Sequence, residues 1–454
     1  MPVSLPEAFV ARTAALLGPE EAAALCQALT ATPPVSIRLN RTKGTLPPAG
    51  ATPVAWCADG YYLAERPSFT LDPRFHAGAY YVQEASSMFI AQAFAAIGEP
   101  VRRVLDLCAA PGGKSTLWRS LLPDGALLVA NEPLRQRAQI LAENMAKWGQ
   151  PDVCVTNAYP ADFAPLTGFF DVVAADVPCS GEGMFRKDAA AIGEWSATGV
   201  GRCAERQMDI VRDVWPALRQ GGWLVYSTCT FNREENEDNV RRICDELGAE
   251  PVSIPTAGAW DVCGDTTGGS LPVAHFFPHR TRGEGFFLAL LRKTAPAAQL
   301  RQRRNGRRTG TAPISGIREL ASWLATDGFR LVRTDETHIA AVRDSLADDC
   351  ARLAETVRTM SLGITLAEEK GRKRVPAIGL ALSTARSVAA FPTVGLSYDE
   401  AISYLRREAL TLSPDVPRGY VVATYEGLGL GFLNNLGARA NNLYPAEWRI
   451  RMQA

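Results

Sequence analysis

From about residue 76 to residue 293, short apolar runs alternate with longer helical patterns. This alternation limits the possible folds more than any other feature of the chain. Residues 103–107, 126–131, 153–156, 171–175 and 223–227 read as strands, with helical stretches such as 135–148 and 204–218 between them and a further strand at 285–291. Strands separated by helices pair in parallel, and the helices then cover both faces of the sheet. The fold class is therefore α/β. Strand ends on one side of an open parallel sheet converge on a ligand crevice, so residues just after these strands are the first place to look for chemistry.

The flanking regions differ. Residues 4–30 carry an Ala/Leu-rich periodicity that predicts one helix, Pro33-Pro34 stops it, and residues 35–40 read as a strand. With the turn-rich segment 44–75 they make a small N-terminal α+β module over 1–75, ahead of the α/β domain at 76–293. Residues 294–312 hold Arg301, Arg303, Arg304, Arg307 and Arg308 among Ala, Pro, Gly and Thr. That composition suits either a solvated connector or an arm that contacts phosphates. Residues 313–454 read as mixed α/β, with a second basic cluster (Lys370, Arg372, Lys373, Arg374) and short strands at 420–425 and 430–433.

Bulk composition excludes several classes of protein. The 454 residues are 47% hydrophobic and 21% charged, and the formal net charge is zero. That excludes a uniformly basic nucleic-acid coat but leaves room for a local basic face. No apolar run reaches the roughly eighteen residues of a membrane span. Residues 1–13 lack the order of a signal peptide, so a cytoplasmic protein is expected, with a monomer as the default. The ten cysteines form no CxxC pair and only four histidines accompany them, so no metal site is expected. Most of the thiols read as small buried hydrophobes.

Three segments suggest more. Cys108-Ala109-Ala110-Pro111-Gly112-Gly113-Lys114 follows the first strand of the α/β region. It is not a phosphate-binding P-loop, because that pattern needs glycine where Cys108 stands. A turn that opens a helix still offers backbone N–H groups to a ligand carboxylate, and Glu132 lies roughly twenty residues on, where dinucleotide folds hold ribose hydroxyls. The other two segments each end a strand in a cysteine within a turn: Asp176-Val177-Pro178-Cys179 and Ser227-Thr228-Cys229-Thr230. Two thiols, a carboxylate and a glycine turn on one sheet edge suit thiol attack on an electrophile beside a nucleotide-like cofactor. Residue chemistry alone does not rank the thiols. A cysteine hydrolase lacks support, since none of His76, His275, His279 and His338 lies in a recognisable base motif.

The run from Leu105 to Lys114, the run from Asp176 through Cys179 to Lys187, and Tyr226 to Phe231 resemble the motifs of Nop/Sun-type RNA cytosine-C5 methyltransferases. Residues 81–88, 279–287 and 441–449 are similar to further family segments, and the last resembles the bacterial ribosomal-RNA branch. The resemblance spans nearly the whole chain in the expected order. It implies a Rossmann-like methyltransferase sheet, a C-terminal PUA-like RNA-binding region, and S-adenosylmethionine as donor. The cofactor would be held by Cys108, Ala109, Ala110, Pro111, Gly112, Gly113 and Lys114, with Glu132 on the ribose. Asn157 would face adenine in place of the family's usual aspartate, and Asp176 would border both cofactor and base.

In that chemistry a thiolate adds to cytosine C6, C5 takes the methyl group, and loss of the C5 proton releases the thiol. The resemblance implies Cys229 as nucleophile, Cys179 as the thiol that aids release, and Lys114 as an orienting residue. The implied substrate is ribosomal RNA, 16S in the small subunit. A transfer-RNA methyltransferase and a non-catalytic ribosome-assembly factor are the alternatives. Arg186, Lys187, Arg280 and Arg282 flank the expected cleft as candidate phosphate contacts. Tyr444 and Trp448 form either a small core or an RNA-facing pair.

Overall fold

The computed structural model describes residues 5–296, 314–371 and 373–452. Its centre is a nine-stranded sheet: β1 (Arg103–Asp106), β2 (Leu127–Asn131), β3 (Val153–Thr156), β4 (Phe170–Asp176), β5 (Leu218–Thr228), β6 (Ala249–Val252), β7 (Val273–Phe276), β8 (Phe286–Lys293) and β9 (Thr359–Leu362). The order is β6-β8-β5-β4-β1-β2-β3-β9, with β7 also paired to β8. The five strands from β5 to β3 are parallel. β8 and β9 run antiparallel against the two sides of that core. β1 sits between β2 and β4, so the chain reverses direction across the sheet at β1. That switch point opens a crevice at the carboxyl ends of β1 and β4.

Successive strand residues alternate between two cores. Val104, Leu128, Val172 and Val225 join Leu117, Trp118 and Leu141 on one face. Leu105, Val129, Val173 and Leu224 join Met208, Val211 and Ile243 on the other. Helices α1 (Gly113–Leu121) and α2 (Arg135–Trp148) cover the first face, and α3 (Ala197–Val214) and α4 (Glu237–Leu247) the second. Both faces are thus covered, which is why the middles of these strands are apolar on both sides rather than alternating, with polar residues such as Asp106, Asn131 and Asp176 at their carboxyl ends.

The helix expected at 204–218 begins earlier, because the Ser196 hydroxyl caps it by accepting the Gly199 N–H at 3.1 Å. It ends at Val214, ahead of Pro216. The single helix expected at 4–30 is two helices, Glu7–Leu17 and Pro19–Leu29. Gly18 (φ 86°) breaks the first, and Pro19 starts the second at the position where a missing N–H costs nothing.

The N-terminal helices are followed by a four-stranded sheet ordered 52–54, 57–63, 35–39, 80–82. Its last strand lies beyond residue 75. The module is seated on α1 and α2 by buried cations. The Arg38 guanidinium stacks on Trp148 at 4.5 Å and donates to Gln83 Oε1 at 2.8 Å and Thr116 Oγ1 at 2.5 Å. Lys43 Nζ donates to the carbonyls of Ala77 and Lys147, and burial pushes its ammonium down to about 7. The contact is close: a Cβ on Gly78 would lie 1.8 Å from the Lys147 carbonyl oxygen.

In the C-terminal region β9 extends the central sheet, and two further four-stranded sheets follow. The strands expected at 420–425 and 430–433 are Gly419–Tyr425 and Leu428–Asn435. Tyr444 is buried and packs edge-on to Tyr404 and Trp448, so the small-core reading of this pair holds. The arginines expected in the basic linker, Arg301 to Arg308, and Arg372 lie outside the described residues. No helix among the described residues is long and apolar enough to cross a membrane. Among them, no group of three or more His, Cys, Asp or Glu residues is arranged to hold a metal.

Candidate active site

Every parallel strand of the central sheet delivers a predicted residue at its carboxyl end. The glycine turn follows β1, Glu132 follows β2 and Asn157 follows β3; Asp176 ends β4, and Cys229 follows β5. The turn is anchored from α2: Arg137 donates to the Ala110 carbonyl at 3.0 Å and Asn144 to that of Pro111 at 2.7 Å. The Ala110–Pro111 peptide is cis. Gly112 (φ 119°) leads into α1, whose first turn has no side-chain cap. The N–H groups of Gly113, Lys114 and Ser115 therefore have no helical partner and suit a ligand carboxylate. A side chain at Gly112 would press on Leu141 and Asn144 at 3.3 and 3.4 Å, in a backbone conformation that favours glycine.

The Glu132 carboxylate accepts the Leu134 N–H at 3.0 Å and pairs with Arg137 at 3.3 Å. Asn157 spends both amide hydrogens on the carbonyls of Glu132 and Pro133, at 2.9 and 2.8 Å. What remains for a ligand is its Oδ1, an acceptor like the aspartate oxygen it replaces. An uncapped helix start, a carboxylate at the second strand end and an acceptor at the third together fit an aminoacyl nucleoside cofactor.

Asp106, at the end of β1, accepts the Ser115 hydroxyl at 2.6 Å, and burial pushes its carboxyl up to about 7. The folded chain therefore holds this proton more tightly than the unfolded chain, so its stabilising effect is lost as pH rises through about 4 to 7. Asp106→Asn is expected to melt above wild type at pH 8, with the gap closing as pH falls toward 4. Thermal melts across that range check this, and a constant gap would rule it out.

The reactive side of the crevice is built by Asp176, Lys114, Cys179 and Cys229. Asp176 is held at both oxygens, by Lys114 Nζ at 2.9 Å and Ser227 Oγ at 2.8 Å. Burial acts to lower the Lys114 ammonium, but Asp176 outweighs it and the net shift is upward. The sulfurs of Cys179 and Cys229 lie 3.1 Å apart, and both residues are half-buried. The hydrogen bond with Cys229 and then burial push the Cys179 thiol well above its ordinary range. Fifty residues of sequence separation thus close to a single sulfur–sulfur contact.

The four flanking cations are less free than expected. Arg186 donates to the carbonyls of Ala31, Thr32 and Gly283. Lys187 pairs with Glu284 at 3.4 Å, Arg280 with Asp261 at 2.8 Å, and Arg282 stacks on Tyr62 at 4.3 Å. They join segments distant in sequence: Arg186 bridges residues 31–32 to Gly283, and Arg280 ties its loop to Asp261. Sequence reasoning missed Glu182, Glu235, Asn232 and Gln207, which are buried behind the thiols. For Glu182, Asn232 and Glu235 the signal available was their nearness to the two cysteines along the chain; Gln207, in mid-helix, carried none.

A doubly covered parallel sheet with this crevice is a Rossmann-like fold, and the family match makes it that of an S-adenosylmethionine-dependent methyltransferase. The chain matches the family described as 16S rRNA methyltransferase RsmB/F over residues 97–292. It also matches the N-terminal domain of 16S rRNA methyltransferase RsmF over 5–85 and the methyltransferase RsmF PUA domain over 391–450. It is 32% identical over 417 residues to the ribosomal RNA small subunit methyltransferase F of Erwinia tasmaniensis, covering 87% of this chain and 84% of that one. Its namesake in Klebsiella pneumoniae is 31% identical over 474 residues, covering 98% and 96%. The chain belongs to this RsmF family of ribosomal RNA methyltransferases.

Among solved structures, a methyltransferase homolog protein from Pyrococcus horikoshii is 26% identical (TM-score 0.55), covering 64% of this chain and 96% of that one. NSun6 from the same organism, solved with SFG, is 19% identical (TM-score 0.53), covering 65% and 100%, and shares the fold.

Proposed function

We propose that this chain methylates cytosine C5 in 16S ribosomal RNA, in the cytoplasm, through a covalent bond between Cys229 and C6 of the base. The observation that carries this reading is the 3.1 Å contact between Cys179 and Cys229, beside an Asp176 held by Lys114 and Ser227. S-adenosylmethionine supplies an electrophilic methyl group when bound. The turn from Cys108 to Lys114 would hold its amino-acid end and Glu132 its ribose, and Asn157 would offer Oδ1 to its adenine.

The target base must leave its stack to reach the crevice. Cys229 Sγ adds to C6, which turns C5 into the electron-rich carbon of an enamine. N3 takes a proton from solvent as the adduct forms, and Asp176, fixed by Lys114, accepts hydrogen bonds from that N3–H and from the N4 amino group. A water molecule takes the C5 proton, the C5–H electron pair restores the C5–C6 double bond, and the C6–S bond breaks with its pair leaving on sulfur. Cys179, kept protonated by its contact with Cys229 and by burial, donates to the departing sulfur.

Tritium transfer from labelled donor into ribosomal subunits, naked 16S RNA and transfer RNA tests the substrate, and bisulfite sequencing of 16S RNA from a deletion strain locates the base. Label in transfer RNA alone would make this a transfer-RNA enzyme. No label in any RNA would leave a binding factor.

A further inference from the structure

Behind the thiols lies a buried polar cluster that the chemistry above does not use. Glu182, 2% exposed, belongs to the loop that carries Cys179, yet its carboxylate holds the Cys229 loop. Glu182 Oε2 accepts from Thr230 Oγ1 at 2.6 Å, Phe231 N at 2.8 Å and Asn232 N at 3.0 Å, and Oε1 accepts from Trp195 Nε1 at 3.1 Å. Glu235, fully buried, belongs to the loop that carries Cys229, yet it holds the Cys179 loop. Glu235 Oε2 accepts from Ser180 N at 3.0 Å and from Gln207 Nε2 at 2.7 Å. The same Gln207 amide also donates to the Pro178 carbonyl.

The two halves are joined at their centre. Ser180 Oγ and Thr230 Oγ1, each on the residue after a cysteine, are 3.0 Å apart. Asn232 Nδ2 reaches Glu235 Oε1 at 2.8 Å and Thr230 Oγ1 at 2.9 Å. The Gly183 N–H donates to the Cys229 carbonyl at 2.8 Å, and no Cβ would fit at Gly183, which sits 2.8 Å from that oxygen.

We propose that Glu182 and Glu235 are positioning residues that form a crossed clamp, each loop fixing the other's cysteine, so that the two sulfurs can act in turn on one carbon–sulfur bond. The inference rests on the assignment of Cys229 as nucleophile and Cys179 as releasing thiol. Two ordinary loops on neighbouring strands would let the sulfurs drift apart, and a misplacement of about 1 Å at a reacting centre costs about 10²-fold in rate. A carboxylate suits the task because it only accepts, and every group pointed at it here is a donor. Glutamine in its place would turn an N–H toward another N–H.

The crossing makes the two glutamates separable. Glu182→Gln loosens Cys229, so kcat falls by about 10²-fold and little RNA is captured covalently. Glu235→Gln loosens Cys179, so kcat falls while the covalent RNA adduct accumulates, although both thiols are present. KM for RNA and affinity for S-adenosylhomocysteine stay near wild type in both, as they would not if the whole site had collapsed. Should either variant fail to fold, Trp195→Phe removes the donor to Glu182 Oε1 and Gln207→Met removes the amide that joins Glu235 to the Pro178 carbonyl, and they should give weaker forms of the same two profiles.

Steady-state tritium transfer and denaturing gels of the full-length enzyme with 16S RNA read both quantities. If Cys229→Ala and Cys179→Ala behave as assigned but these variants keep wild-type kcat and adduct level, or the two sides give one identical profile, the clamp is overturned. If the cysteine variants themselves misbehave, the thiol assignment falls and takes the clamp with it.

Discussion

Cys229→Ala is expected to lower methyl transfer by at least about 10⁴-fold while leaving the affinity for S-adenosylhomocysteine close to wild type. Cytosine C5 does not attack a methyl donor until a nucleophile has added at C6, and Cys229 is the thiol that directly follows β5. The cofactor residues lie elsewhere on the sheet edge, on the turn after β1 and at the ends of β2 and β3. Alanine leaves the backbone bond from Gly183 N–H to the Cys229 carbonyl in place. Rate measurements with tritiated donor, paired with calorimetry of cofactor binding, check both halves. Retention of activity would transfer the nucleophile's role to Cys179 or remove the covalent step.

Cys179→Ala should separate chemistry from release. Its sulfur is 3.1 Å from that of Cys229 and stays protonated, so it is placed to donate to the sulfur that leaves. Without it a first methyl group should still transfer, but the enzyme should remain bonded to the methylated RNA and multiple turnover should drop by about 10³-fold. A denaturing gel would show the adduct as a slow band that grows with time. A variant that turned over freely without the band would sink this role for Cys179.

Much of the fold was legible because parallel strands buried on both faces carry consecutive apolar residues through their middles. The runs at 103–107, 126–131, 153–156, 171–175 and 223–227 show this, with polar residues such as Arg103, Asp106, Asn131 and Asp171 near their ends, and the structure turns each into a strand of the central sheet. Two short antiparallel strands that pair with β8, Ala249–Val252 and Val273–Phe276, carry no such signal, because at four residues each they depend on partners distant in sequence. Gly18 was the local mark of a break in the predicted N-terminal helix, and an apolar periodicity that continues across it concealed the break.

The candidate site divides in the same way. Composition and spacing along the chain determined that a glycine turn and two cysteines follow strand ends, since these depend on neighbours a few residues away. Only the tertiary structure decided that the sulfurs touch, that Asn157 keeps an acceptor rather than a donor for a ligand, and that Arg186 is spent on carbonyls. It alone revealed that Glu182 and Glu235 each reach across to the other loop. Such contacts link residues some fifty positions apart. Their energy comes from burial and from pairing every donor with an acceptor, and neither is a property of any stretch of sequence taken alone.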